Sequence, residues 1–184
     1  METAKAIAKA VTVSITVGDP NADVFMRPVV SDRQWNRIQS LIKNGVEEGA
    51  ALVTGRTGRP DGLTTGYNVK PTVFADVKND MTIAREEIFG PVLCMIGYKD
   101  VDDAVAIANY TVYGLGTYVQ SGSDKRANEI ADRLRAGVVF TNGAGEDPEA
   151  PFGGYKMLGN GREWGDTAFG EFLETKAVVR AWVS

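Results

Sequence analysis

The chain has 184 residues, of which 20 are basic and 24 acidic, so its net charge at pH 7 is -4. This size corresponds to about one domain with its own core, and the acidic balance argues against binding to nucleic acid or to an anionic membrane through basic residues. The sequence contains no histidine, which excludes Ser-His-Asp and Cys-His nucleophiles and every histidine-containing metal site.

The chain has a single cysteine, Cys94, and therefore no intrachain disulfide or multi-thiolate zinc site. Residues 1–10 alternate alanine and isoleucine with lysines and lack the continuous apolar run of a targeting signal. Apolar stretches such as residues 92–96 are too short to cross a bilayer. We therefore expect a cytoplasmic protein with neither a nucleic acid nor a membrane as partner.

Segments with helical periodicity alternate with short β-branched runs, which predicts an α/β fold with a mostly parallel sheet. An amphipathic helix is predicted over residues 1–10. The clearest helix begins at Ser31, whose hydroxyl can cap the first turn while Gln34 bonds back to it. Its apolar stripe is formed by Trp35, Ile38, Leu41, Ile42 and Val46.

Strands are predicted at residues 51–53, 71–77 and 92–98, the last of them buried because it is apolar on both faces. A helix carrying Val101, Ala104, Val105 and Ala108 follows. The strongest βαβ unit is a strand at 115–120, a helix from about Asp124 that ends at a left-handed Gly137 cap, and a strand at 138–141. Residues 143–165 form a long glycine-rich connection before a short helix and a β-branched tail.

The motifs of common nucleotide and metal sites are missing from the sequence. No G-x-G-x-x-G follows a strand, and the run from Gly159 to Gly165 has one residue too many and lies in a predicted loop. There is no P-loop, no H-E-x-x-H and no EF-hand loop. A dinucleotide-binding fold is therefore not encoded in these residues.

The reactive side chains that remain also have ordinary interpretations. Cys94 lies between Leu93 and Met95 in an apolar strand, where burial raises a thiol pKa, so we interpret it as structural. Lys156 is interpreted as a solvated lysine and not as a catalytic base. The pair Arg162 and Glu163 is read as an ion pair that fixes the loop.

Six segments carry a family resemblance. They are Val17-Gly-Asp-Pro20, Gly66-Tyr-Asn-Val-Lys-Pro-Thr72, Glu86-Glu-Ile-Phe-Gly-Pro-Val92, Tyr113-Gly-Leu115, Arg135-Ala-Gly137, and Pro151-Phe-Gly-Gly-Tyr-Lys156 with Gly161-Arg-Glu163. In this order and spacing they resemble the aldehyde dehydrogenase family over nearly the whole chain. The part that is similar is the C-terminal part of the family's catalytic domain.

The resemblance implies a reaction and also what this chain lacks. In the family a thiolate attacks an aldehyde, hydride passes to NAD(P)+, and a glutamate-activated water hydrolyses the thioester. The cysteine and the glutamate lie upstream of the position that matches Val17. We therefore expect no catalytic residue here, no metal ligand, and no tight binding of the NAD or NADP that the parent family uses.

The resemblance assigns accessory roles to three residues. Glu87 resembles the glutamate that holds the nicotinamide ribose hydroxyls, and Phe89 resembles the aromatic residue near the nicotinamide. Phe152 resembles a residue that lines the aldehyde entrance. Without the motif, Glu87 would be read as a helix-end or solvated carboxylate and both phenylalanines as core aromatics. We expect the two cofactor positions to be vestigial, an inherited geometry and not a working site.

The expected architecture is a single domain over residues 1–184, a partial catalytic domain with an open, mostly parallel sheet flanked by helices. A sheet cut at this point presents an open edge and an apolar face. This predicts a homo-oligomer, at least a dimer, formed through the tail from Ala177 to Val183 or through the exposed edge. Two functions remain open: a truncated aldehyde dehydrogenase whose own activity is absent or depends on a missing half, or a non-catalytic oligomerisation or binding module.

Overall fold

The structure is a computed structural model that describes residues 1–182. The chain divides into two compact units, Met1–Tyr98 and Lys99–Ser184, which are described one after the other. The expectation of a single domain stays a prediction.

The first unit contains α1 (Glu2–Ser14), α2 (Asp32–Glu47), β1 (Ala51–Thr54), β2 (Thr72–Ala75), α3 (Thr82–Arg85) and β3 (Val92–Cys94). The second contains α4 (Val101–Asn109), β4 (Gly116–Val119), α5 (Asp124–Ala131), β5 (Val138–Thr141) and 3₁₀ helices at Lys156–Leu158 and Asp166–Phe172.

Helix α2 forms where the sequence predicts it, with one difference at its start and one at its end. The Ser31 hydroxyl accepts a hydrogen bond from the Gln34 backbone at 3.3 Å, but the Gln34 side chain does not bond back. It donates to the Phe89 carbonyl instead. The predicted burial of Val46 is wrong: its side chain is exposed, and Gly45 takes the core-facing position in the last turn.

The first unit is built on a three-stranded sheet in the order β1-β2-β3. Strand β2 lies in the middle and is wholly buried, with Phe74 at the centre of the core. Strands β2 and β3 are parallel, whereas β1 and β2 are antiparallel because the turn region between them contains no crossover helix. Since β3 is an edge strand, the prediction that it is buried on both faces is wrong at Leu93, which is half exposed.

The second unit contains the predicted βαβ unit. Strands β4 and β5 are parallel and in register over four residue pairs, from Gly116 opposite Val138 to Val119 opposite Thr141. The intervening helix α5 is capped by the Ser123 hydroxyl. The predicted left-handed cap at Gly137 is wrong, because Gly137 is not among the glycines with positive φ. A Cβ at Gly137 would instead overlap the Gly153 carbonyl oxygen, so close approach of two backbones requires the glycine.

The C-terminal part of the second unit has little regular structure. Residues 173–182 form neither helix nor strand and are exposed, and Val183, the last residue of the predicted tail strand, lies outside the described residues. Over residues 1–182 no helix has the length and apolar character needed to span a membrane. The α/β class is confirmed, as small sheets with parallel strand pairs flanked by helices.

Candidate functional site

The first candidate site is the loop that joins α3 to β3. Ile88 points into the core and is 8% exposed, whereas its neighbours Glu87 and Phe89 lie at the surface, with Phe89 70% exposed. The Glu87 carboxylate forms no ion pair or hydrogen bond with any other side chain or backbone group among residues 1–182. The loop therefore presents a carboxylate and an aromatic ring to solvent on either side of the buried Ile88.

Two side chains of α2 hold this loop. The Gln34 amide nitrogen Nε2 donates to the Phe89 carbonyl oxygen at 2.6 Å. The Arg37 guanidinium donates to the Glu87 carbonyl at 3.2 Å and pairs with the Glu86 carboxylate at 3.2 Å. Both α2 residues contact backbone on either side of the exposed ring, so the loop is anchored by a helix and not only by its own turns.

The backbone of the loop is conformationally unusual at Phe89. Its φ is 55°, in the left-handed region that side-chain-bearing residues rarely adopt, at a cost of about 1 kcal/mol or more. The next residue, Gly90, packs against Ile38 so closely that an added Cβ would lie 2.5 Å from its Cδ1 atom. Packing at Gly90 and the Gln34 hydrogen bond together fix a conformation that Phe89 alone would not favour.

The second candidate site is an open groove of about 400 Å³ in the second unit. Phe152 lies in its wall, half buried, with its ring 4.9 Å from that of Trp164. Phe152 and Glu163 exchange two backbone hydrogen bonds of 2.7 Å, which close the glycine-rich loop into a narrow hairpin. Apolar and charged groups share the lining of this groove, which includes Leu115, Leu158, Arg162, Glu163, Glu171 and Phe172.

Arg162 fixes the loop, but not as the sequence suggested. The predicted ion pair with Glu163 is absent from the ion pairs of residues 1–182. The guanidinium nitrogen Nη1 instead donates to the carbonyls of Gly154, Asn160 and Gly161 at 2.8 to 3.1 Å. These three backbone carbonyls take the place of the Glu163 carboxylate as partners of Arg162, because the glycine-rich loop brings all three close to the same guanidinium nitrogen.

Lys156 also binds backbone. Its ammonium group donates to the carbonyls of Asn109 and Thr111 at 3.0 and 2.9 Å, at the C-terminal end of α4. Burial, with a smaller contribution from the charge of Arg135, lowers the pKa of Lys156. The lysine is therefore not a solvated one: it ties the loop to α4 and places a positive charge where the helix carbonyls are unsatisfied.

Cys94 lies in β3 with its thiol directed toward the core. Its Sγ atom lies 3.5 Å from the Ile83 carbonyl oxygen, and burial raises the pKa of the thiol to about 11. At neutral pH such a thiol is protonated and a poor nucleophile. Among residues 1–182 no group of three or more carboxylates and thiols is arranged to hold a metal ion.

The predicted accessory residues fall in both units. Glu87 and Phe89 share one loop of the first unit, and Phe152 lines the groove of the second. The sequence did not single out Gln34 or Arg37 as loop anchors. Gln34 and Arg37 are three residues apart, which places them on the same side of α2, next to its buried stripe. This spacing could have marked them as a pair, but it does not show which loop they contact.

The chain belongs to the aldehyde dehydrogenase family, whose sequence model matches residues 2–178. A 3-succinoylsemialdehyde-pyridine dehydrogenase from Pseudomonas sp is 54% identical over 166 residues, covering 90% of this chain and 35% of the relative. A putative aldehyde dehydrogenase from Staphylococcus haemolyticus is 48% identical with the same coverage. The chain thus spans about a third of the length of the relatives it matches.

Solved structures show the same relationship. Aldehyde dehydrogenase C from Pseudomonas syringae, a C291A mutant in complex with NAD+ and octanal, matches with a TM-score of 0.92 and 49% identity, over 97% of this chain and 37% of that chain. An aldehyde dehydrogenase from Mycobacterium tuberculosis in complex with NAD+ matches with a TM-score of 0.89 and 43% identity, over 93% and 35%. The family resemblance read from the sequence motifs is confirmed.

Proposed function

We propose that this chain is the C-terminal part of an NAD(P)-dependent aldehyde dehydrogenase and that by itself it does not turn over aldehydes. One observation carries this proposal: the single thiol of the sequence, Cys94, lies partly buried in β3, and burial raises its pKa to about 11, so it is protonated at neutral pH. An aldehyde dehydrogenase reaction needs a thiolate and a general base in one cleft. The cytoplasm is the proposed location, since the single thiol suits a reducing compartment.

The residues present fit an accessory part of a nicotinamide cofactor site. The exposed Glu87 carboxylate has free acceptor oxygens for two neighbouring hydroxyls, as a ribose offers. The exposed Phe89 ring offers an apolar surface to a flat heterocycle, and Gln34 and Arg37 hold both in place. NAD(P)+, when bound, supplies the hydride acceptor of the reaction. The role of this chain is to orient it, with tight binding left to the rest of the enzyme.

The groove around Phe152 fits the role of a substrate entrance. Phe152 and Leu115 provide an apolar wall, and the hairpin that carries Phe152 is fixed by Arg162 and by the two backbone hydrogen bonds to Glu163. An apolar wall on a fixed loop favours entry of an uncharged aldehyde over a charged acid. The lining carboxylates Glu163 and Glu171 would further disfavour an anionic product.

A second candidate is a non-catalytic oligomerisation module that kept the fold. The exposed tail favours it: Val178, Val179 and Trp182 are 74%, 92% and 100% exposed, an arrangement that a second copy would cover. We propose that the chain forms at least a dimer through the tail from Ala177 to Val183 or through an exposed sheet edge. Self-association is compatible with both candidates, so it does not separate them.

The test is NAD(P)H formation by the purified chain with a panel of aldehydes, beside a Cys94→Ser variant and a full-length relative as the positive control. We expect no turnover from the wild-type chain or from the variant under conditions where the full-length enzyme is active. Turnover that Cys94→Ser abolishes would contradict the proposal, because it would make the buried thiol the nucleophile of a new active site.

A further inference from the structure

The sequence contains three asparagines that directly precede a glycine, namely Asn44, Asn142 and Asn160. A glycine at the next position leaves the backbone nitrogen unhindered, because glycine has no Cβ. That nitrogen can attack the side-chain amide of the asparagine, which makes the Asn-Gly dipeptide prone to deamidation. In a folded chain the reaction further requires that the side chain can turn and that the glycine N–H is free.

Two of the three asparagines are held by the fold. The Asn142 side chain accepts a hydrogen bond from the Ser121 backbone at 2.8 Å and donates one to the Asp124 carboxylate at 2.6 Å. Asn44 lies within α2, where the amide of the buried Gly45 belongs to the helical hydrogen-bond ladder. Both sites therefore need a local opening of the structure before deamidation can start.

Asn160 is held by neither kind of contact. It lies in the loop between the two 3₁₀ helices, and both Asn160 and Gly161 are exposed. Within residues 1–182 the Asn160 side chain has no hydrogen-bond partner, and the Gly161 amide has none either. The side chain is therefore free to turn toward the Gly161 nitrogen, which is the movement that the reaction requires.

The charge of Arg162 also favours reaction at Asn160. Its guanidinium nitrogen Nη1 donates to the Asn160 carbonyl oxygen at 3.1 Å. This oxygen belongs to the same peptide group as the Gly161 nitrogen. A cation beside it stabilises the negative charge that the peptide group acquires when the N–H loses its proton. The hydrogen bond that fixes the loop thus also makes the attacking nitrogen more acidic.

We propose that Asn160 is a deamidation site of the folded chain. The deprotonated Gly161 nitrogen forms a bond to the Asn160 Cγ atom, the bond from Cγ to Nδ2 breaks, and ammonia leaves with a proton taken from water. Water then opens the five-membered ring: opening at the side-chain carbonyl gives aspartate, and opening at the main-chain carbonyl gives isoaspartate. The reaction needs no oxidant, cofactor or partner, and it is independent of the proposed function.

Isoaspartate at this position changes the loop that carries Phe152. It lengthens the main chain by one methylene group between residues 160 and 161. The loop has no room for this group at its neck, because the Gly161 carbonyl lies so close to Gly153 that a Cβ there would overlap it. The two backbone hydrogen bonds between Phe152 and Glu163 close the same hairpin. We therefore expect these hydrogen bonds to open more often after deamidation.

The test is storage of the purified chain at mildly alkaline pH, followed by tryptic peptide mapping with mass spectrometry. Trypsin places the three asparagines on separate peptides, with Asn160 on the peptide from Met157 to Arg162. We expect Asn160 to deamidate at least about tenfold faster than Asn44 or Asn142, because those two sites have to open first. A rate at Asn160 no higher than at the other two sites would overturn the proposal.

The same chain unfolded in guanidinium chloride is the control for the effect of the fold. Unfolding frees all three side chains and all three glycine amides, so the three rates should differ little. If the folded-state preference for Asn160 persists unchanged in the unfolded chain, the neighbouring residues and not the fold select the site, and the structural argument is wrong.

Gly161→Ala tests the attacking nitrogen without removing Asn160. Gly161 does not have a positive φ, and its added Cβ would lie 3.7 Å from the Glu171 carboxylate, an ordinary contact, so the loop should keep its shape. The methyl group hinders the nitrogen and should slow deamidation at Asn160 about tenfold. Gly170→Ala is the matched control: its Cβ meets open space and no asparagine precedes it, so the rate should stay that of the wild type.

Hydrogen exchange at the Phe152 and Glu163 amides measures the effect on the hairpin. After storage, exchange should be faster in the wild type and in Gly170→Ala than in Gly161→Ala. Before storage, the three proteins should exchange alike. Equal exchange in all three stored proteins, with isoaspartate present at position 160 of the wild type, would refute the effect on the loop.

Discussion

Burial of Cys94 makes the stability of the first unit depend on pH. Its thiol pKa is raised from 9.0 to about 11 in the folded chain, so the folded state keeps a proton that the unfolded state loses above pH 9.0. The free energy of unfolding should therefore fall between pH 9 and pH 11. For this partly exposed group the loss at pH 10 is about 1 kcal/mol. Urea denaturation at pH 8 and pH 10 measures it.

A Cys94→Ala variant provides the matched control, since it removes the titrating group and keeps a small apolar side chain. The variant should lose about 1 kcal/mol less than the wild type between the two pH values. The comparison also cancels the effect of Lys156, whose lowered pKa acts in the opposite direction, because an unfolded lysine then holds its proton to higher pH. Identical pH slopes in both proteins would refute a buried, protonated thiol.

Residue identity predicted some parts of the candidate site and not others. The core position of Cys94 follows from its apolar neighbours, because side-chain burial depends mainly on the local pattern. The partners of Gln34 and Arg162 could not be predicted: Gln34 reaches a carbonyl 55 residues away, and Arg162 binds carbonyls instead of the adjacent Glu163. Hydrogen bonds of this kind depend on where loops lie after folding.

At the level of secondary-structure elements, the attachment of the glycine-rich loop to α4 depends on Lys156. Its ammonium group satisfies the carbonyls of Asn109 and Thr111 at the helix end, where no intrahelical donor remains. Lys156→Met keeps the length of the side chain and removes the donor. We expect it to lower the free energy of unfolding by about 1–2 kcal/mol in urea denaturation at pH 7.

Lys125→Met is the matched control for this substitution. Lys125 is also in the second unit, but its side chain is 87% exposed and its nearest carboxylate, that of Glu129, is 3.9 Å away. The control should change stability by no more than about 0.5 kcal/mol. Lys156→Arg, which keeps a cationic donor, should recover part of the loss. A Lys156→Met variant as stable as the control would mean that water satisfies those carbonyls equally well.

Helices and strands with clear periodicity and capping residues could be predicted from the sequence, whereas the exposure of their side chains and their long-range contacts could not. Strand β5 and the helix after Ser31 occur where periodicity and capping residues place them. The exposure of Leu93 could not be predicted, because a short apolar run looks the same at the edge and at the centre of a sheet. Gly137 was assigned to a left-handed cap, but the close approach of Gly153, a long-range contact, is what requires glycine there.

For the whole molecule, the family is clear from the sequence because its motifs are spread over nearly the full length. What a fold of this extent does is harder to predict, since the chain covers only 35% of the length of the Pseudomonas relative. The structure adds an exposed tail, residues 173–182, whose chemistry the motifs do not reveal.

The tail is the surface for which we expect self-association. Residues 177–182 are exposed, and Val179 and Trp182 are 92% and 100% exposed, which favours pairing of an extended segment with a partner strand. Light scattering over increasing protein concentration should give a mass at least twice the 19.8 kDa of the chain. Val179→Asp should shift the protein toward the monomer, because a charge on a pairing strand opposes association.

Val30→Asp is the matched control, since Val30 is 85% exposed and lies in the first unit, outside the tail. It should leave the mass of the oligomer unchanged. A monomer at the highest concentration for the wild-type chain would refute self-association. An oligomer that survives Val179→Asp would contradict the tail as the contact and leave an exposed sheet edge as the alternative. Measuring Val179→Asp and Val30→Asp in one concentration series therefore shows whether association depends on the tail.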